Sequence, residues 1–106
     1  IALENARQHG KPVFLYVTAT WCNICSRVEK ESLGSPDTVS ALEGFVPVMV
    51  DIDQYPWVGR RYEVPAVPAF LVLDSRGKIL SRSFGFHSAD ELTALLRATV
   101  PGGSSL

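Results

Sequence analysis

The only two cysteines of the chain, Cys22 and Cys25, are spaced C-x-x-C within Trp21-Cys22-Asn23-Ile24-Cys25. They lie between two segments of opposite character. Val13-Phe14-Leu15-Tyr16-Val17 is an apolar run of β-branched and aromatic residues and reads as a buried strand. The segment after the pair reads as a helix. A cysteine pair at such a junction has a chemical consequence. The first sulfur sits where unpaired backbone N–H groups and the helix dipole favour negative charge, which lowers its pKa. The second lies one turn on, within reach to close a disulfide. One cysteine is then expected to attack and the other to resolve. A structural bridge or half of a zinc site are the competing readings. A bridge across so short a loop brings little chain-entropy benefit. Zinc usually takes four ligands, and His9 and His87 are distant in sequence with no second C-x-x-C. Redox chemistry is favoured, and no metal is expected.

The chain has 106 residues, enough for one domain around one core. With 46% hydrophobic and 20% charged residues it matches ordinary globular composition. A net charge of -1 with both signs scattered gives no footprint for nucleic acid and no polybasic membrane patch. No apolar run approaches the roughly 20 residues that span a bilayer. The chain begins at Ile1 rather than Met, so a mature or excised fragment is expected, with any signal peptide or anchor upstream. A single C-x-x-C is compatible with either redox compartment.

Patterning divides the chain into alternating elements. Residues 2–9 read as a short helix stopped by Gly10, and residues 13–18 as the first strand. A helix carrying the cysteines spans 22–33. Ser35-Pro36-Asp37 starts another, with a serine cap and proline at the first helical position, ending at Gly44. Residues 45–51 are mostly apolar on both faces and read as a buried parallel strand. A short helix over 55–62 and strands over 68–74 and 78–84 follow. The two strands are joined by the turn Asp74-Ser75-Arg76-Gly77, so they pair as an antiparallel hairpin. Ser88 with Glu91 forms a capping box, and Leu92, Leu95, Leu96 and Val100 keep helical spacing. Residues 1–100 are expected to form one domain, and 101–106 a flexible tail. The order implies an α/β fold: a mixed sheet of about four strands with helices on both faces.

At this point the chain resembles the thioredoxin superfamily over nearly its whole length. The resemblance rests on Trp21-Cys22-x-x-Cys25, on Asp51-Ile52-Asp53-Gln54 ending the second strand, on Val67-Pro68 before the third, and on Gly85 after the fourth. Within the superfamily the likeness is to the C-terminal domain of the thiol-disulfide interchange reductases of DsbD type, through Gly10-Lys11-Pro12-Val13, Glu29-Lys30 and Ser35-Pro36. It implies the thioredoxin-like fold, with a first strand seen in many relatives missing here.

The resemblance also implies roles. Cys22 is the attacking thiolate, the more exposed of the two, and Cys25 the buried resolver. Pro68 is a cis-proline facing the pair, and Val67 offers its main chain to an extended substrate. Pro65 competes for that place, but Pro68 alone directly precedes the apolar strand. Glu29, four residues after Cys25, is expected to be partly buried with a raised pKa and to relay the proton of Cys25; the competing reading is a solvated side chain. Trp21, Ile24 and Phe86 form an apolar docking surface, or simply pack. Asn23 and Ile24 tune the thiolate, and Gly85 permits close backbone approach. Many thioredoxins carry an Asp six residues before the first cysteine and a Lys on the next strand. Here Tyr16 and Met49 stand in those places. A tyrosine of pKa about 10 is a poor base at neutral pH, which strengthens the case for Glu29 or a water.

The expected activity is thiol-disulfide exchange in the reducing direction, with no cofactor beyond the cysteine pair. Protein disulfides are the expected substrates. An upstream thiol protein or membrane reductase would be the electron donor. A monomer is expected, in the periplasm or another extracytoplasmic space, tethered through an upstream segment; a cytoplasmic protein is the alternative. An oxidase or isomerase of the same fold, or a non-catalytic binding module, are the competing functions.

Overall fold

The computed structural model describes residues 9–99. The helix expected over 2–9, apart from His9, and the tail 101–106 lie outside the described residues. Four strands form one sheet: β1 (Val13–Thr18), β2 (Val46–Asp51), β3 (Ala69–Leu73) and β4 (Ile79–Phe84), in the order β2-β1-β3-β4. β1 pairs parallel with β2 and antiparallel with β3, and β3 pairs antiparallel with β4. The expected mixed sheet is therefore present.

β1 sits in the middle and is buried on both faces, which is why it reads as a continuous apolar run. Val13, Leu15 and Val17 join Ala69, Leu71 and Leu73 on one face. There α3 (Trp57–Arg61) packs Val58 against them, with Tyr62 just past its end. Phe14, Tyr16, Phe70 and Val72 form the other face, beneath Val28 and beneath Leu92 and Leu96 of α4 (Ala89–Ala98). Leu92 and Leu96 are fully buried, and each such side chain contributes roughly 1.5–3 kcal/mol over its exposed state. Phe70 anchors this layer, stacking on Tyr16 at 5.4 Å and meeting the edge of His87 at 5.0 Å.

Two local features differ from what the sequence leads one to expect. β2 was expected to be buried, yet Pro47 and Met49 face solvent, Met49 with 67% of its surface exposed. Among the described residues β2 is the edge of the sheet. Val46 and Ile52 give their N–H groups inward to Pro12 and Thr18, so the N–H that Pro47 lacks falls on the open edge, where it costs no ladder bond. Ser35 takes the extended cap conformation before α2 (Pro36–Ala41), but its side chain makes no capping hydrogen bond. Pro36, with its fixed φ, starts the helix instead. A 3₁₀ turn, Leu42–Gly44, then ends the segment where Gly44 was expected to stop it.

Candidate active site around Cys22 and Cys25

β1 leaves the sheet at Thr18, and a short turn brings the chain to Cys22, the N-cap of α1 (Asn23–Arg27). Cys22 has extended backbone angles, φ -91° and ψ 104°, and its Sγ accepts the N–H of Cys25 at 3.1 Å. The sulfur thus takes one of the donors that a helix start leaves unpaired. The two cysteines are joined in a disulfide with their Cα atoms 5.2 Å apart. Both cysteines are buried, Cys22 with 7% of its surface exposed and Cys25 with 1%. α1 carries no acid in its first turn, so no carboxylate there opposes a negative sulfur.

The helix runs on without a break into a wider π-helical segment, Val28–Leu33. Glu29 lies in it. Glu29 is exposed, not partly buried as expected, and its long side chain reaches back to β1. There one carboxylate oxygen, Oε2, accepts the hydroxyls of Tyr16 and Thr18, each at 2.9 Å. The Tyr16 oxygen also lies 3.3 Å from the carbonyl of Cys25. Burial pushes the Tyr16 hydroxyl pKa well above its ordinary value; the bond to Thr18 opposes this, and the bond to Glu29 with its negative charge adds to it. Glu29, Thr18, Ser26 and Asp51 border an open cleft of about 450 Å³. Tyr16 and Met49 are direct partners across β1 and β2, so the two departures from the superfamily pattern are neighbours.

Val67 packs against Ala19, Cys22 and Cys25, and the Val67–Pro68 peptide bond is cis. Pro68 is fully buried. Its carbonyl accepts the N–H of Gly85 at 2.9 Å, which ties the end of β4 to the residue that follows Val67. Gly85 was expected to allow close approach, yet a Cβ built on it meets no heavy atom within 4 Å. Its φ of +87° is what requires glycine. Asn23, Ile24 and Trp21 are exposed around Cys22. Phe86 is exposed as well, with the Arg27 guanidinium 4.4 Å above its ring.

Several partners are absent from the sequence reading. Asp53 accepts the indole N–H of Trp21 at 2.8 Å. Thr18 shares a β1 face with Tyr16, and that period-two spacing was the available signal for it. Arg82 bonds the carboxylate and carbonyl of Glu63, a residue with φ of 56° in the loop before Val67. Among the described residues no cluster of His, Cys, Asp or Glu could hold a metal ion.

Comparison with known proteins agrees with this geometry. The profile of the thioredoxin-like domain matches residues 1–99. The chain is 34% identical over 98 residues to the thiol:disulfide interchange protein DsbD of Klebsiella pneumoniae, covering 87% of this chain but 16% of that protein. It therefore spans about a sixth of that relative. A solution structure of a thioredoxin from Thermus thermophilus superimposes with a TM-score of 0.84 at 30% identity, over 96% of this chain and 84% of that one. The reduced DsbD C-terminal domain of Neisseria meningitidis shares the fold, with a TM-score of 0.81 at 20% identity, over 92% and 90% of the two chains. The resemblance drawn from Trp21-Cys22-x-x-Cys25 and Val67-Pro68 is thus met along the whole described length, and the chain belongs to the thioredoxin-like domain family.

Proposed function

We propose that this chain is a thiol-disulfide oxidoreductase that reduces protein disulfides. The observation that carries this is the Cys22 sulfur at a helix N-cap, taking the Cys25 N–H, with Cys25 buried behind it. In the reduced chain Cys22 is the thiolate, since the same N–H and the helix start favour its charge. It attacks one sulfur of a substrate disulfide; the other sulfur leaves with the bonding pair. Cys25 then loses its proton to the Glu29 carboxylate, and its thiolate attacks Cys22. The Cys22–Cys25 bond forms, the mixed disulfide breaks, and the substrate leaves as a thiolate that takes up a proton. Substrate gains two electrons and the pair loses them.

Val67 beside the pair supplies main-chain bonds to the extended substrate, with Pro68 holding that strand start. Trp21, Ile24 and Phe86 give the exposed apolar contact, and Asn23 and Gly85 border it. The pair itself is the redox group, so no bound cofactor is required. An upstream thiol protein or membrane reductase returns the electrons. The likeness to DsbD supports an extracytoplasmic setting. No helix among the described residues is long and apolar enough to cross a membrane.

The test is insulin reduction by the chain with dithiothreitol as donor, followed as turbidity. The chain accelerates it, Cys22→Ser abolishes the effect, and Cys25→Ser accumulates a covalent complex with substrate visible by mass. A wild-type rate equal to dithiothreitol alone, or full activity in Cys22→Ser, contradicts the proposal.

A further inference from the structure

The position six residues before Cys22 carries a tyrosine whose hydroxyl is spoken for. Tyr16 has one proton to give, and three acceptors lie near it: the Glu29 carboxylate at 2.9 Å, and Thr18 Oγ1 and the Cys25 carbonyl at 3.3 Å each. The charged and closest acceptor wins it. Thr18 donates to the same Glu29 oxygen at 2.9 Å. Both donors stand on the rigid central strand β1, while Glu29 comes from the helix that carries Cys25. Two fixed bonds on Oε2 hold a flexible, exposed side chain in one pose. Among the described residues Oε1 has no protein partner, and Glu29 borders the open cleft.

We propose that Tyr16 and Thr18 are positioning residues that hold the Glu29 carboxylate ready to take the proton of Cys25. This rests on the assignment of Glu29 as proton acceptor in the resolution step. Tyr16 does not itself take a proton in that step. A tyrosine of ordinary pKa about 10 is already protonated through the neutral range, and burial only raises that value, so it serves as a permanent donor. The proton acceptor is therefore a surface carboxylate clamped from the sheet. Asp51 and Tyr55, from β2 and the segment after it, are the other titratable groups lining the same cleft. Met49 brings no charge from β2, and Lys30 is the neighbour of Glu29 on its own helix.

The test is stopped-flow reduction of a fluorescent small-molecule disulfide by the reduced chain, across pH. Attack is second order and resolution first order, so the two separate. Glu29→Gln slows resolution by on the order of 100-fold and flattens its pH profile. Tyr16→Phe keeps the ring on Phe70 but loses the donor; it slows resolution about tenfold and shifts its pH profile, with attack unchanged. The Tyr16→Phe, Glu29→Gln double variant is no slower than Glu29→Gln. Thr18→Val gives a smaller loss in the same direction, which Thr18→Ser restores. A Tyr16→Phe resolution rate and profile equal to wild type overturns the proposal. So does a double variant whose losses multiply, or an unaffected Glu29→Gln. Absence of exchange in the wild type instead overturns the proposed function itself.

Discussion

Trp21 leaves most of its ring in water and still gives its indole N–H to Asp53. A surface hydrogen bond of this kind is worth about 0.5–1.5 kcal/mol net. Asp53→Ala is therefore expected to cost no more than that in urea unfolding, while it changes the Trp21 emission; a loss of core size would show that Asp53 holds the fold instead. Asp74 behaves differently. Its carboxylate accepts the N–H of Lys78 and that of Arg76, and these bonds hold its pKa below the ordinary carboxylate value. A carboxyl whose folded pKa is depressed stabilises the fold above its unfolded pKa, about 3.9, and loses that contribution as pH falls through the folded value. Asp74→Ala is thus less stable than wild type at pH 7, and the gap closes below about pH 4. Urea midpoints at the two pH values check this, and an unchanged gap rules it out. Gly85 has open space for a methyl group but a φ of +87°. Gly85→Ala is expected to cost about 1–2 kcal/mol from the backbone alone.

Two serines that read alike as helix caps separate at the scale of elements. Ser88 accepts the Glu91 N–H while the Glu91 carboxylate accepts the Ser88 N–H, a closed capping box on α4. Ser35 before α2 makes no such bond. Ser88→Ala should cost about 1 kcal/mol in urea unfolding and Ser35→Ala a few tenths at most. Equal losses would contradict this account of the two caps. The same contrast marks what was legible in the sequence. The strands, the hairpin turn at Asp74 and the helices at Pro36 and Ser88 were readable, because apolar period and end signals agree there. The edge position of β2 was not, since apolar content over 45–51 does not say whether a further strand lies beyond it. The π-helical widening after Arg27 has no sequence signal that we recognise.

Across the whole molecule, the pair lies where three separate parts of the chain meet: the β1–α1 turn, the Val67–Pro68 segment and, through its bond to Pro68, Gly85 at the end of β4. Cys22, Cys25 and Pro68 could be named from local motifs and the family pattern. The partners of Glu29 and Trp21 could not, because Tyr16, Thr18 and Asp53 come from distant elements and meet only when the sheet forms. The central claim is that these parts together make a reducing pair. Its most direct measurement is the equilibrium redox potential of Cys22–Cys25 against dithiothreitol or glutathione, followed by tryptophan fluorescence. The account predicts a value near the roughly -270 mV of thioredoxin. A value near the roughly -120 mV of a strong oxidant, or a pair that does not equilibrate with either reagent, would contradict it.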